Sequence, residues 1–340
     1  MPISPQTEQK LRAFLEREEH REARRIERKG ARRAVGRASL LIFAALLCMQ
    51  CFSVLMQILL LRFGAYTGDL ATAWGCAVYL TLALVPLFYV YAARRSGQPL
   101  GIFLPQSRPK AVGLSGLAAG LLLLAAFGAI LAANFPVDLV SRLLDWFRLS
   151  HTPSMPEVQT GWGLAFGLVY SALAAPLTEE FLFRGVVLGV LRPHGDGFAI
   201  VVSAVLFGLY HGNVEQFVFA FLVGLVLSYV RVRTDNLWWC VLLHGANNFL
   251  ATFYTTVATL WGGAAASLYV DAYTFFFVAL GIVALFLCLR WFGTKTLQLV
   301  HISFESPLSQ RCAQIFCSLG GWVMLLYGGI SSAFALGGIV

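Results

Sequence analysis

Apolar residues run in long uninterrupted blocks along most of this chain, separated by short polar stretches, and only the first forty or so residues break the pattern. Nine blocks reach or approach the length at which a helix crosses a hydrocarbon core: 39–61, 71–93, 112–134, 161–190, 198–214, 216–230, 236–257, 272–292 and 313–337. The blocks do not alternate polar with apolar residues, so a barrel is disfavoured and helices are the default. The pattern therefore predicts an all-α, polytopic transmembrane bundle of eight or nine spans, with a site inside it.

Composition agrees: 58% of the 340 residues are hydrophobic and 12% charged, more apolar surface than a water-soluble core absorbs. The organisation expected is a charged cytoplasmic arm (1–38), N-terminal spans (39–134), an interfacial stretch (135–160), core helices (161–257) and C-terminal spans (258–340). Residues 8–37 interleave Glu with Arg and Lys and read as a solvated helical arm. In 135–160, Leu139, Leu143, Leu144, Trp146 and Phe147 suggest an amphipathic helix closed by Pro153 and Pro156.

Charge sets the orientation. With the amino terminus inside, 21 of the 25 Lys and Arg residues fall on the inner side and 3 outside, Arg184 lying within a span. A cytoplasmic amino terminus follows. The net charge of +8 is then matched to anionic membrane lipids and not to nucleic acid. Seven cysteines lack CxxC or zinc-ligand spacing and read as small buried hydrophobes.

Ionisable groups inside a membrane are expensive, so those present are functional candidates. Of 17 acidic residues only Glu179 and Glu180 sit well inside a span, and of six histidines only His211 and His244 do. Glu180 and Arg184 are four apart with the acid first, the favourable order for an ion pair, while Glu179 points about 100° away. Left unpaired, Glu179 has the character of a base towards water. The alternative is that both acids serve one structural ion-pair network with Arg184. Phe207 and His211 share a face, as do His244 and Asn248, with Asn247 beside them. His and Asn are donors suited to an oxyanion, but a packing imidazole and interhelical Asn bonds fit the same spacing.

The three motifs, EExxxR at Glu179, Glu180 and Arg184, FxxxH at Phe207 and His211, and HxxxN at His244 and Asn248, resemble in order and separation those of the CPBP membrane proteins, which include the CAAX prenyl-protein endopeptidases. The resemblance covers roughly residues 160–255. It implies an intramembrane endopeptidase in which Glu179, aided by His211, activates water, His244 and Asn248 stabilise the oxyanion, and Glu180, Arg184, Phe207 and Asn247 support the site. The substrate implied is a membrane-associated peptide or lipid-anchored protein. No cofactor is expected; two histidines and a glutamate also form a possible Zn²⁺ set, but HExxH is absent. A self-immunity protein that binds a bacteriocin-like peptide without cleaving it is the alternative from another class.

Overall fold

The structure is a computed structural model that describes residues 5–62, 77, 79–95, 114–147, 149, 161–299 and 303–336. Every element among them is helical. In chain order these are α1 (Pro5–Arg62), α2 (Leu84–Arg95), α3 (Gly116–Ala132), α4 (Asn134–Trp146), α5 (Gly161–His194), α6 (Asp196–Tyr210), α7 (Val214–Thr234), α8 (Leu237–Trp261), α9 (Gly263–Phe292) and α10 (Leu319–Leu336). Parts of the predicted blocks 71–93, 112–134 and 313–337, most of the stretch 149–160, and Cys76, Arg108, Lys110, Arg148, Pro153 and Pro156 lie outside the described residues.

Among the described residues, six stretches are long and apolar enough to cross a membrane: the apolar half of α1, α3 continued into α4, α5, α7, α9 and α10. This is an integral, multi-pass membrane protein. The sequence blocks at 198–214 and 236–257 fall outside that set for separate reasons. Helix α6 has only 15 residues, and α8 has the length but carries His244, Asn247 and Asn248 through its centre.

Two apolar cores flank the centre of the bundle. The first joins Ala31, Val35, Ile42 and Leu46 of α1 to Leu182, Phe183 and Leu191 of α5, Phe198 and Leu206 of α6, and Met324 of α10. The second joins Phe127 and Ile130 of α3 to Val223 and Leu227 of α7 and Cys240 and Leu243 of α8. Lipid is as apolar as leucine, so helices in a membrane gain most from close backbone approach at small residues. Helices α3 and α9 cross this way: a Cβ added at Gly128 would lie 2.8 Å from the Gly281 Cα and from the Phe277 carbonyl oxygen. The outward faces stay greasy, with Leu55, Ile58 and Leu61 of α1 and Phe276, Ile282 and Phe286 of α9 all exposed.

The charged arm does not stand apart from the bundle. Helix α1 runs unbroken through residue 38, and Ala31, Ala34, Val35 and Ala38 make a buried stripe. The Glu27 carboxylate accepts from the backbone N–H groups of Glu305 (2.9 Å) and Ser306 (2.7 Å) and from the Ser306 hydroxyl (2.6 Å). Helix α4 buries none of its residues and leaves Leu139, Leu143 and Trp146 exposed, as is Phe147 just beyond its end. The cysteines divide. Cys240 and Cys288 are buried as expected, but Cys51 and Cys317 are exposed: Cys51 lies on the outward face of α1, one turn from exposed Leu55, and Cys317 ends the short helical turn Ala313–Cys317.

Candidate active site

Helix α5 is not a uniform α-helix, and its irregularities place the acidic pair. Residues Tyr170–Ala174 and Phe181–Val187 are π-helical, and the α-helical turn Ala175–Glu180 lies between them. Such bulges insert one extra residue per turn and free backbone carbonyls that an α-helix would engage. Here the Ala175 N–H reaches back to the Tyr170 carbonyl, so the Ser171 carbonyl is released. Pro176 has no N–H to offer Ala172, the carbonyl four residues before it.

Helix α8 docks on those two released carbonyls. The Asn248 side-chain amide donates to the Ser171 carbonyl at 3.0 Å. Gly245 lies against Ala172 so closely that an added Cβ would stand 2.6 Å from its oxygen. The Ser171 hydroxyl in turn donates to the Asn248 carbonyl at 3.3 Å and hydrogen-bonds Thr252. Sequence spacing put His244 and Asn248 on one face of α8; the α5 bulge supplies what Asn248 binds, and the turn after it supplies Glu180 for His244.

The acidic pair divides as its spacing predicts, with an addition. Arg184 Nη1 donates to Glu180 Oε1 at 2.8 Å, both side chains fully buried. The guanidinium also stacks over the Phe207 ring, 4.3 Å from its centroid, and reaches the Gly224 carbonyl at 3.5 Å. Glu180 Oε1 has a second partner in His244 Nδ1 at 2.8 Å. A carboxylate oxygen only accepts, so this bond fixes the hydrogen on Nδ1 and turns Nε2 of His244 towards Glu179, whose Oε2 is 3.8 Å away. Glu179 is buried and clear of Arg184, as expected, but it is not without partners: the Tyr79 hydroxyl donates to its Oε1. That phenol, in turn, lies 2.6 Å from the Tyr210 hydroxyl.

His211 sits where α6 turns into α7. Gly212 adopts a left-handed φ of 62°, and Asn213 caps α7 by accepting from the backbone N–H groups of Glu215 (2.9 Å) and Gln216 (3.2 Å). His211 Nδ1 meets the Phe207 carbonyl at 2.8 Å. That carbonyl can only accept, so the ring hydrogen is on Nδ1 and Nε2 keeps its lone pair in the neutral ring. The Phe207 ring packs edge-on against both imidazoles, with centroids 4.8 Å from His211 and 6.0 Å from His244. Asn247 is buried and donates to Asn248 Oδ1 at 3.1 Å.

All eight residues singled out by sequence therefore belong to one connected cluster between α5, α6 and α8. Residues 161–250, which hold every one of them, match the family described as "Type II CAAX prenyl endopeptidase Rce1-like". The chain carries a Rce1-like domain. It is similar to the "Putative membrane peptidase YdiL" of Bacillus subtilis, 26% identical over 78 residues, which are 23% of this chain and 32% of that protein. It is also similar to the "Uncharacterized 24.3 kDa protein" of Escherichia coli, 36% identical over 78 residues, 21% of this chain and 36% of that one. The chain thus spans about a third of the length of the curated relatives it matches. No solved structure matches it.

Three side chains of the cluster carried no sequence signal: Tyr79, Tyr210 and Ser171. Tyr79 lies outside the Rce1-like domain altogether. A buried Tyr or Ser generally finds a hydrogen-bond partner, but nothing in the sequence identifies which one. Among the described residues no three His, Cys, Asp or Glu side chains group as a metal holder, and the Nδ1 atoms of His211 and His244 are engaged by the Phe207 carbonyl and by Glu180.

Proposed function

We propose that the Rce1-like domain is an intramembrane endopeptidase with Glu179 as its base, embedded in a bundle of eight or nine spans to which α2, α6 and α8 contribute. The observation that carries this reading is the Glu179 Oε2 to His244 Nε2 separation of 3.8 Å inside a buried cluster. One water molecule at ordinary hydrogen-bond lengths touches both atoms across such a gap. Glu179 accepts a proton from that water, the hydroxide attacks the scissile carbonyl, and the proton passes on to the departing amine. His211, with its Nε2 lone pair available, assists the deprotonation.

His244 is held by Glu180, which is itself held by Arg184; in its protonated form His244 donates from Nε2 to the developing oxyanion. Asn248 Nδ2 carries two hydrogens, one committed to Ser171, and the other supports the same oxyanion. The substrate is a peptide or lipid-anchored protein reached from the cytoplasmic half of a bacterial plasma membrane, where the positive-inside distribution places the amino terminus.

Mass spectrometry of membrane peptides tests this. Cells with the wild-type gene are expected to contain a cut product that disappears with Glu179→Gln and with His211→Ala, while both proteins still insert. Cleavage undiminished in purified Glu179→Gln protein removes the assigned base. Protection against a membrane-active peptide that survives Glu179→Gln supports the binding alternative instead.

A further inference from the structure

The Glu179 carboxylate is approached from every side. Its own helix brings Glu180 and Arg184, which face each other; α8 brings His244; the end of α6 brings Tyr210 and His211; and the segment just before α2 brings Tyr79. Tyr170 of α5 packs edge-on against the Tyr79 ring, with centroids 5.1 Å apart, and Tyr327 of α10 lies within electrostatic range of Tyr210. The Tyr79 hydroxyl reaches Glu179 directly, by a hydrogen bond to Oε1.

A phenol carries one hydrogen, and that of Tyr79 is directed to Glu179 Oε1. The 2.6 Å contact between the two phenols must therefore be donated by Tyr210. The order of donation is Tyr210 to Tyr79 to Glu179. Donation into a phenol oxygen polarises its O–H and strengthens the bond it makes. Oε1 is thereby occupied, and Oε2 remains as the oxygen facing His244.

We propose that Tyr79, contributed from outside the Rce1-like domain and backed by Tyr210, is a positioning residue that holds the Glu179 carboxylate in place and aims Oε2 at the water. The inference rests on the peptidase reading for its catalytic meaning, but its geometry does not depend on turnover. A hydrogen bond to a charged acceptor is shorter and stronger than one between neutral groups, so its loss leaves the carboxyl free to turn.

The test is infrared difference spectroscopy of full-length protein in detergent micelles, labelled with ¹³C at its glutamate carboxyls, with the Glu179 band assigned by its absence in Glu179→Gln. A carboxylate stretch moves when a donor leaves one of its oxygens, so Tyr79→Phe is expected to shift the Glu179 band, and Tyr210→Phe, which leaves the direct bond in place, to shift it by a smaller amount in the same direction. Where cleavage is measurable, Tyr79→Phe lowers kcat and leaves KM near its wild-type value. Tyr210→Phe carries the test should Tyr79→Phe fail to fold. An unmoved band in the folded variants, or a loss of activity carried by KM alone, overturns the inference. Wild-type protein that shows no Glu179-dependent cleavage overturns the peptidase reading, and the band still decides the part played by Tyr79.

Discussion

Replacing Arg184 with Met tests the architecture under the site. The guanidinium and the Glu180 carboxylate are both fully buried and joined by one contact of 2.8 Å. Removing one partner of a buried ion pair leaves the other charge uncompensated and costs about 3 to 5 kcal/mol. Two observations pull the value towards the lower end. The pairing is a single contact, with no hydrogen-bond partner for Glu180 Oε2 or Arg184 Nε among the described residues, and His244 remains on Glu180 after the substitution. The loss of the cation over Phe207 works in the other direction. We expect a destabilisation of about 3 kcal/mol, a change in the folding equilibrium of roughly a hundredfold. Equilibrium unfolding in mixed detergent micelles reads this directly. The double substitution Glu180→Leu with Arg184→Met removes both charges and is expected to recover part of the loss, since apolar replacement of a buried pair is often neutral or stabilising while His244 Nδ1 loses its acceptor. Arg184→Met within about 1 kcal/mol of wild type, or a double variant no more stable than the sum of the single changes, refutes the reasoning.

Two further outcomes follow from other contacts. In Gly245→Ala the new methyl meets the Ala172 carbonyl oxygen at 2.6 Å, and backbone cannot rotate away as a side chain can. A destabilisation of about 1 to 3 kcal/mol is expected, with a proportionally larger loss of cleavage because His244 and Asn248 move with α8; a fully active, fully stable variant contradicts the close approach. At Glu27, burial raises the carboxyl pKa, but the Ser306 hydroxyl, the backbone N–H groups of Glu305 and Ser306 and the charge of Arg311 outweigh it, leaving the group below its ordinary value. Its contribution is present at neutral pH and lost as pH falls through that lowered value. Energy transfer between labels on the arm and near residue 305 should report release of the arm on acidification, and Glu27→Gln should abolish that acid-dependent step.

Much of the site was legible because its chemistry is local. Glu180 and Arg184 pair across one turn as their four-residue spacing predicts, and the scarcity of ionisable groups in apolar blocks drew attention to Glu179, His211 and His244. What escaped notice depends on distant residues or leaves no compositional trace. Tyr79 meets Glu179 across a hundred positions, and one tyrosine among eleven forms no motif. Asn248 could be read as an oxyanion donor or as an interhelical clamp; its bond to the Ser171 carbonyl exists because of a bulge that composition does not reveal. The inner end of the arm was hard to read for another reason. Its Glu and Arg residues dominate the sequence, and they hide the small residues Ala31, Ala34, Val35 and Ala38, whose spacing is that of one helical face.

The two π turns of α5 also bear on how this chain can change. Each shifts the helix that follows by one residue, about 100° of rotation, relative to a continuous α-helix. Deleting a single residue from Tyr170–Ala174 or Phe181–Val187 would erase a bulge and swing everything beyond it to a different side. Exchanging one side chain there for another would leave that angular setting alone. Along this helix the number of residues is under tighter constraint than their identities, and variants should be made by replacement and not by shortening.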